Sequence, residues 1–123
     1  MKKIFFSILF LFSTTLFAEE NKTNFTIESF KKAQQKGKII VVHSWNRFCT
    51  TCSKQIPFLK EAEKDFSNVL FLNYEQTKEK DIAEFLNINY WTTIAIFKGN
   101  KEIVRTIGLS EKDEIYSLIK ENI

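Results

Sequence analysis

The chain has 123 residues, of which 44% are hydrophobic and 27% charged, and its formal net charge is +3. A chain of this length builds one domain with a single core. Two of its basic residues, Lys2 and Lys3, belong to an N-terminal segment, so the remainder is close to neutral, and the lack of a basic face or a like-charge block excludes a nucleic-acid-binding role.

The first 18 residues have the pattern of a secretory signal peptide. Lys2 and Lys3 precede an apolar stretch, and Ala18 is a small residue before two acidic ones. The stretch is shorter than the about 20 residues that a membrane span needs. We therefore expect a signal peptide over residues 1–18, a polar leader over residues 19–24 and export, most simply to the bacterial periplasm. An uncleaved N-terminal anchor is the alternative.

The first elements predicted beyond the leader are a short helix and a buried strand. Thr26 is a candidate N-cap, and Gly37 ends the helix. The apolar residues of this helix recur at helical spacing: Ile27, Phe30 and Ala33. The apolar run over residues 39–45 predicts the central strand.

Two further helices and a second strand are predicted in the middle of the chain. Residues 53–66 predict a helix that Pro57 should kink. The residues at helical spacing on its predicted core face are Ile56, Leu59, Ala62, Glu63 and Phe66. Residues 69–74 predict the second strand, and residues 78–86 predict a helix whose inward side chains are Ile82, Phe85 and Leu86.

The last third of the chain predicts a hairpin followed by a helix. Residues 92–97 and 102–107 predict two strands joined by a turn at Gly99. Ser110 is the candidate cap of a final helix over residues 112–123. Because helices separate the earlier strands, we expect parallel crossovers, with an antiparallel edge added by the hairpin. The fold class is therefore an α/β sandwich with a central mixed four-stranded sheet flanked by helices.

The two cysteines carry the clearest chemical signal. Cys49 and Cys52 are the only cysteines, and they lie between a predicted strand and a predicted helix. The first sulfur then sits at a helix N-terminus, where free N–H groups and the helix dipole stabilise a thiolate. The thiolate is the reactive form in thiol–disulfide exchange. The arrangement predicts a redox site, although a Cys-x-x-Cys pair alone also occurs in metal sites.

The element order and several motifs together resemble the thioredoxin-like superfamily over residues 25–123. Trp45 and Phe48 match the two aromatic residues before the cysteine pair. Pro57 matches the helix proline, and Gly108 matches the glycine after the hairpin. The resemblance implies a thiol–disulfide oxidoreductase that exchanges disulfides with protein thiols. It also implies an unidentified redox recycling partner, and no cofactor beyond the redox-active disulfide.

The resemblance assigns roles to individual residues. Cys49 is implied to be the attacking sulfur, and Cys52 the resolving one. His43 stands where the family has a buried Asp, so it could relay protons for Cys52, or it could be a packed strand histidine. Arg47 could stabilise the Cys49 thiolate, or it could be a solvated loop charge.

The substrate groove is expected to depart from the family pattern. Pro57 is the only proline, so the cis-proline that faces the cysteines in the family is absent. Thr92 occupies its position, and we expect a trans bond there because a non-proline cis bond costs about 2.5–4 kcal/mol. The candidate groove residues are Trp45, Phe48, Trp91 and Thr92.

Two other functions stay open. The cysteines, with His43 as a candidate third ligand, could bind copper(I) in a metal-delivery module. Alternatively, the chain could be a redox-inert thioredoxin-like binding domain with a structural disulfide, which the missing proline favours. Under the preferred interpretation we expect no metal site. We also expect a monomer that binds no nucleic acid and keeps no stable membrane span after signal cleavage.

Overall fold

The computed structural model describes residues 23–123. The predicted signal peptide over residues 1–18 and most of the leader lie outside the described residues. Four helices and four strands follow in the predicted order: α1 Ile27–Gln35, β1 Ile39–Trp45, α2 Thr50–Asp65, β2 Val69–Glu75, α3 Lys80–Leu86, β3 Thr93–Lys98, β4 Lys101–Ile107 and α4 Lys112–Glu121. Within residues 23–123, no helix has the length and apolar character needed to cross a membrane.

The four strands form one mixed sheet in the order β2-β1-β3-β4. β1 and β2 are parallel, with Ile39 opposite Val69 and Trp45 opposite Glu75. β3 and β4 form an antiparallel hairpin, whose turn contains Gly99 at a φ of 57°. The predicted fold class, an α/β sandwich around a mixed four-stranded sheet, is confirmed.

The direction of β3 differs from the expected parallel crossover. β3 runs antiparallel to the central strand β1. The helix between β2 and β3 has seven residues and spans about 10 Å, whereas a seven-residue strand such as β2 spans about 23 Å. Because α3 is so short, it does not return the chain to the end of the sheet at which β2 began.

A hydrophobic core lies on each face of the sheet, since successive strand side chains point to opposite faces. Ile40 and Val42 of β1 pack in a cluster with buried residues of α1 and α3. Val41, between them, packs in a second cluster with buried residues of α2 and α4. The face that carries Val41 therefore lies under α2, the helix that follows the cysteine motif.

Three details of the helices differ from the prediction. α2 begins at Thr50, three residues earlier than expected, because Cys49 itself is the N-cap. The N-cap of α4 is Glu111 rather than Ser110, and its backbone N–H donates to Glu114 Oε2 at 3.4 Å. Phe85 of α3 is 41% exposed and meets Phe30 edge-on, because Ala83 takes the buried position on α3.

The chain that precedes α1 is bonded to the outer edge of β2. The backbone N–H groups of Asn24 and Phe25 both donate to Asn73 O, at 3.1 and 3.2 Å. The Asn24 side chain also accepts from the Asn73 N–H at 2.7 Å, and Glu75 N–H donates to Thr23 Oγ1 at 3.3 Å. The last residues of the predicted leader thus cover a sheet edge.

Candidate active site

The cysteine pair lies where β1 ends and α2 begins. Cys49 and Cys52 are joined by a disulfide. Cys49 is the N-cap of α2, and its sulfur accepts a hydrogen bond from the Cys52 N–H at 3.1 Å. The first sulfur therefore takes the place of the side-chain oxygen that normally satisfies a free N–H at a helix start. This N–H and the positive end of the helix dipole would stabilise a thiolate on Cys49.

The two sulfurs differ in their access to solvent. Cys52 is completely buried, whereas Cys49 is 8% exposed and lines a surface cleft of about 370 Å³. The residues around this cleft are Trp45, Asn46, Arg47, Cys49, Ser53, Ile56, Glu75 and Lys78. Of the two cysteines, Cys49 is therefore the one that another molecule can approach from the cleft.

Trp45 forms the apolar wall beside the disulfide. It is 7% exposed and packs in a cluster with both cysteines. Ile56 of α2 packs against this cluster. The indole Nε1–H donates to Asn73 Oδ1 at 3.1 Å. This hydrogen bond satisfies the one polar atom of the indole, so the ring can be buried against the sulfurs.

Three charged side chains form the polar side of the cleft. Glu75, at the end of β2, is 4% exposed. Its carboxylate accepts from Arg47 Nε at 3.2 Å and from Lys78 Nζ at 3.4 Å. Two cations thus compensate one buried carboxylate. The charge of Arg47, a candidate stabiliser of the Cys49 thiolate, is engaged with Glu75.

Asn46 shapes the turn before the cysteines, and the sequence analysis did not identify it. Its Oδ1 accepts from the Phe48 N–H at 2.9 Å, and its Nδ2 donates to Thr77 Oγ1 at 2.7 Å. An Asn side chain that bonds to the backbone two residues on is typical of a tight turn. The turn leaves the Phe48 ring 83% exposed, directly before Cys49.

His43 lies in β1 on the same face as Val41, towards α2. It is buried, and its Nε2 lies 2.9 Å from Oε1 of Gln55. Burial lowers the pKa of His43 from 6.5 to about 4, although its hydrogen bond to Gln55 Oε1 acts in the opposite direction. The imidazole is therefore neutral near pH 7, with one of its two ring nitrogens unprotonated.

Gln55 is completely buried, and the sequence did not predict this burial either. The buried face of α2 consists of Cys52, Gln55, Leu59 and Ala62. The predicted face contained Leu59 and Ala62 correctly, but it also contained Glu63, which is exposed, and it lacked Gln55. The available signal was the helical spacing that places Gln55 on the same side as Cys52.

Thr92 stands beside β3 in an uncommon backbone conformation. Residues 23–123 contain no cis peptide bond, in agreement with the expected trans bond, but Thr92 has a φ of 61°. This left-handed conformation is strained for a β-branched residue. The Thr92 carbonyl accepts from Gln55 Nε2 at 3.2 Å and from the Gly108 N–H at 3.3 Å, and these bonds hold it in place.

The other predicted groove residues are distributed around this loop and the cysteine turn. Trp91 is 40% exposed, and Tyr90 beside it is 63% exposed. Of the four predicted groove residues, Trp45 lines the cleft at Cys49, whereas Phe48 and Trp91 present their rings to solvent.

The copper alternative would need three ligands grouped together. In the part of the chain that the structure describes, no three or more His, Cys, Asp or Glu side chains are grouped so as to hold a metal ion. The structure therefore does not join His43 to the two cysteines as a ligand set.

Comparison with known proteins identifies the family. The family model described as Thioredoxin matches residues 21–121. The chain belongs to the thioredoxin family. Among curated thioredoxins, the H-type protein of Fagopyrum esculentum is 32% identical over 88 residues, covering 72% of this chain and 75% of that protein. The thioredoxin of Mycoplasma genitalium is 31% identical over 81 residues, covering 66% and 79%.

Solved structures agree on the thioredoxin fold. Trxlp from Edwardsiella tarda superimposes with a TM-score of 0.72 at 16% identity, covering 76% of this chain and 93% of that one. The thioredoxin of Fasciola hepatica gives 0.70 at 21% identity, covering 78% and 90%. Family membership and the cysteine pair together make this protein a thiol–disulfide oxidoreductase of the thioredoxin type, which exchanges disulfides with protein substrates.

Proposed function

We propose that this thioredoxin-type oxidoreductase is exported, and that it exchanges disulfides with protein thiols in the bacterial periplasm. The basic start, the short apolar stretch and Ala18 in residues 1–18 support export. An oxidising compartment also suits a chain whose only cysteines form the reactive pair. The protein acts as a monomer with a separate recycling partner and needs no cofactor beyond its disulfide.

The unequal access to the two sulfurs is the observation that carries the proposed mechanism. Cys49 lines the cleft and caps α2, whereas Cys52 is fully buried. Cys49 is therefore the sulfur that attacks the substrate, and Cys52 is the one that resolves the intermediate.

The reaction is a transfer of two electrons between a dithiol and a disulfide. The Cys49 thiolate attacks a substrate disulfide, forms a mixed disulfide and releases one substrate thiolate. Cys52 loses its proton and attacks Cys49 Sγ, which breaks the mixed disulfide and releases the second substrate thiolate. The Cys49–Cys52 disulfide forms, and the same steps in reverse donate it to a dithiol.

His43 is the proposed proton acceptor for Cys52. A buried thiol is a weak nucleophile until it loses its proton. The imidazole is neutral, buried and packed under the helix that carries Cys52. A neutral imidazole there can take the thiol proton without placing a permanent charge in the core.

Trapping of mixed disulfides tests the assignment of the two cysteines. The full chain with Cys52→Ser should accumulate covalent complexes with a peptide disulfide, because its Cys49 can attack but nothing resolves the product. Cys49→Ser is the matched control and should accumulate none. Trapping by Cys49→Ser instead of Cys52→Ser would exchange the two roles, and trapping by neither would remove the proposed mechanism.

Fractionation of bacteria that express the chain tests export. The full chain should appear in the periplasmic fraction with a mass that corresponds to cleavage near Ala18. A variant without residues 2–18 is the control and should stay in the cytoplasm. A full-length product in the membrane fraction would support an uncleaved anchor, and a cytoplasmic full-length product would refute export.

A further inference from the structure

Gln55 is completely buried and makes three side-chain hydrogen bonds, which use both of its N–H donors. Its Nε2 donates to Leu109 O at 2.7 Å and to Thr92 O at 3.2 Å. Its Oε1 lies 2.9 Å from Nε2 of His43. An amide has two N–H donors, and both go to backbone carbonyls. One side chain of α2 therefore connects the central strand with the loops on both sides of the β3–β4 hairpin.

These partners fix which end of the amide faces His43. Backbone carbonyl oxygens only accept hydrogen bonds, so Thr92 and Leu109 require the NH₂ end of Gln55. The oxygen end must then face His43, and an amide oxygen also only accepts. It follows that Nε2 of His43 carries a hydrogen. Since the buried ring is neutral near pH 7, its other nitrogen, Nδ1, carries none.

The amide and the resolving cysteine occupy one side of the same helix. Cys52 and Gln55 are three residues apart, which places them on one face, and both are fully buried. His43 projects from β1 towards this face and meets Gln55. The ring thus packs against the buried face of α2 at Gln55, about one helical turn from Cys52.

We propose that Gln55 is the positioning residue for proton transfer from Cys52. Its amide holds His43 as the Nε2–H tautomer, so that Nδ1 is the nitrogen left to take a proton. The proton passes from Cys52 Sγ to Nδ1, which gives a thiolate and an imidazolium, and the thiolate then breaks the Cys49–substrate bond. The imidazolium returns the proton to the departing substrate thiolate. This proposal rests on the proposed role of His43.

The tautomer can be measured directly because His43 is the only histidine of the chain. The full chain labelled with ¹⁵N-histidine gives one imidazole signal pair, and ¹⁵N shifts with couplings to the ring protons distinguish N–H from unprotonated nitrogen. In reduced wild-type protein at pH 7, Nε2 should be protonated and Nδ1 bare. A protonated Nδ1 with a bare Nε2 would overturn the proposal without any variant.

Gln55→Met tests the functional consequence, and Gln76→Met is its matched control. Gln76 also makes three side-chain hydrogen bonds, to Ser44, Tyr74 and the Ile88 carbonyl. Ser44 extends from the face of β1 opposite to His43. Both variants should lose stability, but only Gln55→Met should populate the second tautomer. Gln55→Met should also slow resolution of a preformed Cys49 mixed disulfide by about tenfold or more, since positioned proton acceptors contribute on the order of 10²–10⁴.

The outcomes separate this proposal from the proposed function. Equal slowing in both variants, or an unchanged tautomer in a folded Gln55→Met, would assign Gln55 a purely structural role. Trapping by Cys52→Ser would still hold in that case. Failure of the trapping experiment would remove the cysteine mechanism while leaving the tautomer measurement valid.

Discussion

Lowering the pH from 7 to 4 should destabilise the fold through the protonation of His43. The unfolded chain binds this proton below its ordinary pKa of 6.5, whereas the buried ring binds it only near its lowered pKa of about 4. Between these values the unfolded state holds more protons, so the free energy of unfolding falls as the pH falls. At about 1.4 kcal/mol per pKa unit, the loss from this one group is about 3 kcal/mol.

Urea denaturation of the full chain at pH 7 and pH 4 measures this loss. His43→Asn is the control, because its amide keeps an N–H donor for Gln55 and does not titrate. The variant is expected to be less stable than wild type at pH 7 because it leaves a cavity. The prediction concerns the difference in pH dependence: wild type should lose about 3 kcal/mol more than the variant between the two pH values.

Two results would refute this reasoning. Equal pH dependence in wild type and His43→Asn would mean that His43 does not resist protonation in the folded state. An NMR titration of the single imidazole with a midpoint above pH 6 would lead to the same conclusion, because the folded and unfolded pKa values would then nearly coincide.

Three further substitutions test the backbone and a helix end, each by urea denaturation. Thr92→Gly should raise the free energy of unfolding by about 1 kcal/mol through relief of its positive φ of 61°, and a loss would contradict the strain. Gly108→Ala should lower the free energy of unfolding by about 1 kcal/mol, because Gly108 has a φ of 84° that favours glycine, although the added Cβ would meet no atom within 4 Å. An unchanged free energy of unfolding would contradict this conformational cost. Arg105 donates to the Leu86 and Asn87 carbonyls at the end of α3. Arg105→Lys should therefore lower the free energy of unfolding by about 1–2 kcal/mol. An unchanged free energy of unfolding would show that these hydrogen bonds do not stabilise the fold.

Much of the fold could be predicted because its signals are local. The apolar run of β1 and the spacing of Phe30 and Ala33 in α1 depend only on neighbouring residues, and the structure confirms both elements. The direction of β3 depends on where the chain re-enters the sheet. That geometry is set by the length of α3 and by packing, which a pattern of hydrophobic residues does not encode.

The candidate site could be predicted at its cysteines but not in the layer beneath them. The position of Cys49 at a helix start follows from the strand and helix patterns around it. Gln55 is polar, and a polar residue within a helix is normally expected to face solvent. Its burial depends on three partners from distant parts of the chain, at Leu109, Thr92 and His43. The same long-range bonds explain why the positive φ of Thr92 could not be foreseen.

The segment over residues 23–25 has a consequence for pairing between the sheet and other extended chains. β2 is an outer strand of the sheet, and open strand edges recruit other extended chains. Asn24 and Phe25 occupy hydrogen-bonding positions along that edge. The opposite edge, β4, carries exposed charged side chains such as Lys101 and Glu102 and a register shift against β3, beside the exposed Ile107. Both borders of the sheet therefore carry features that hinder β-augmentation, the addition of a strand from another chain.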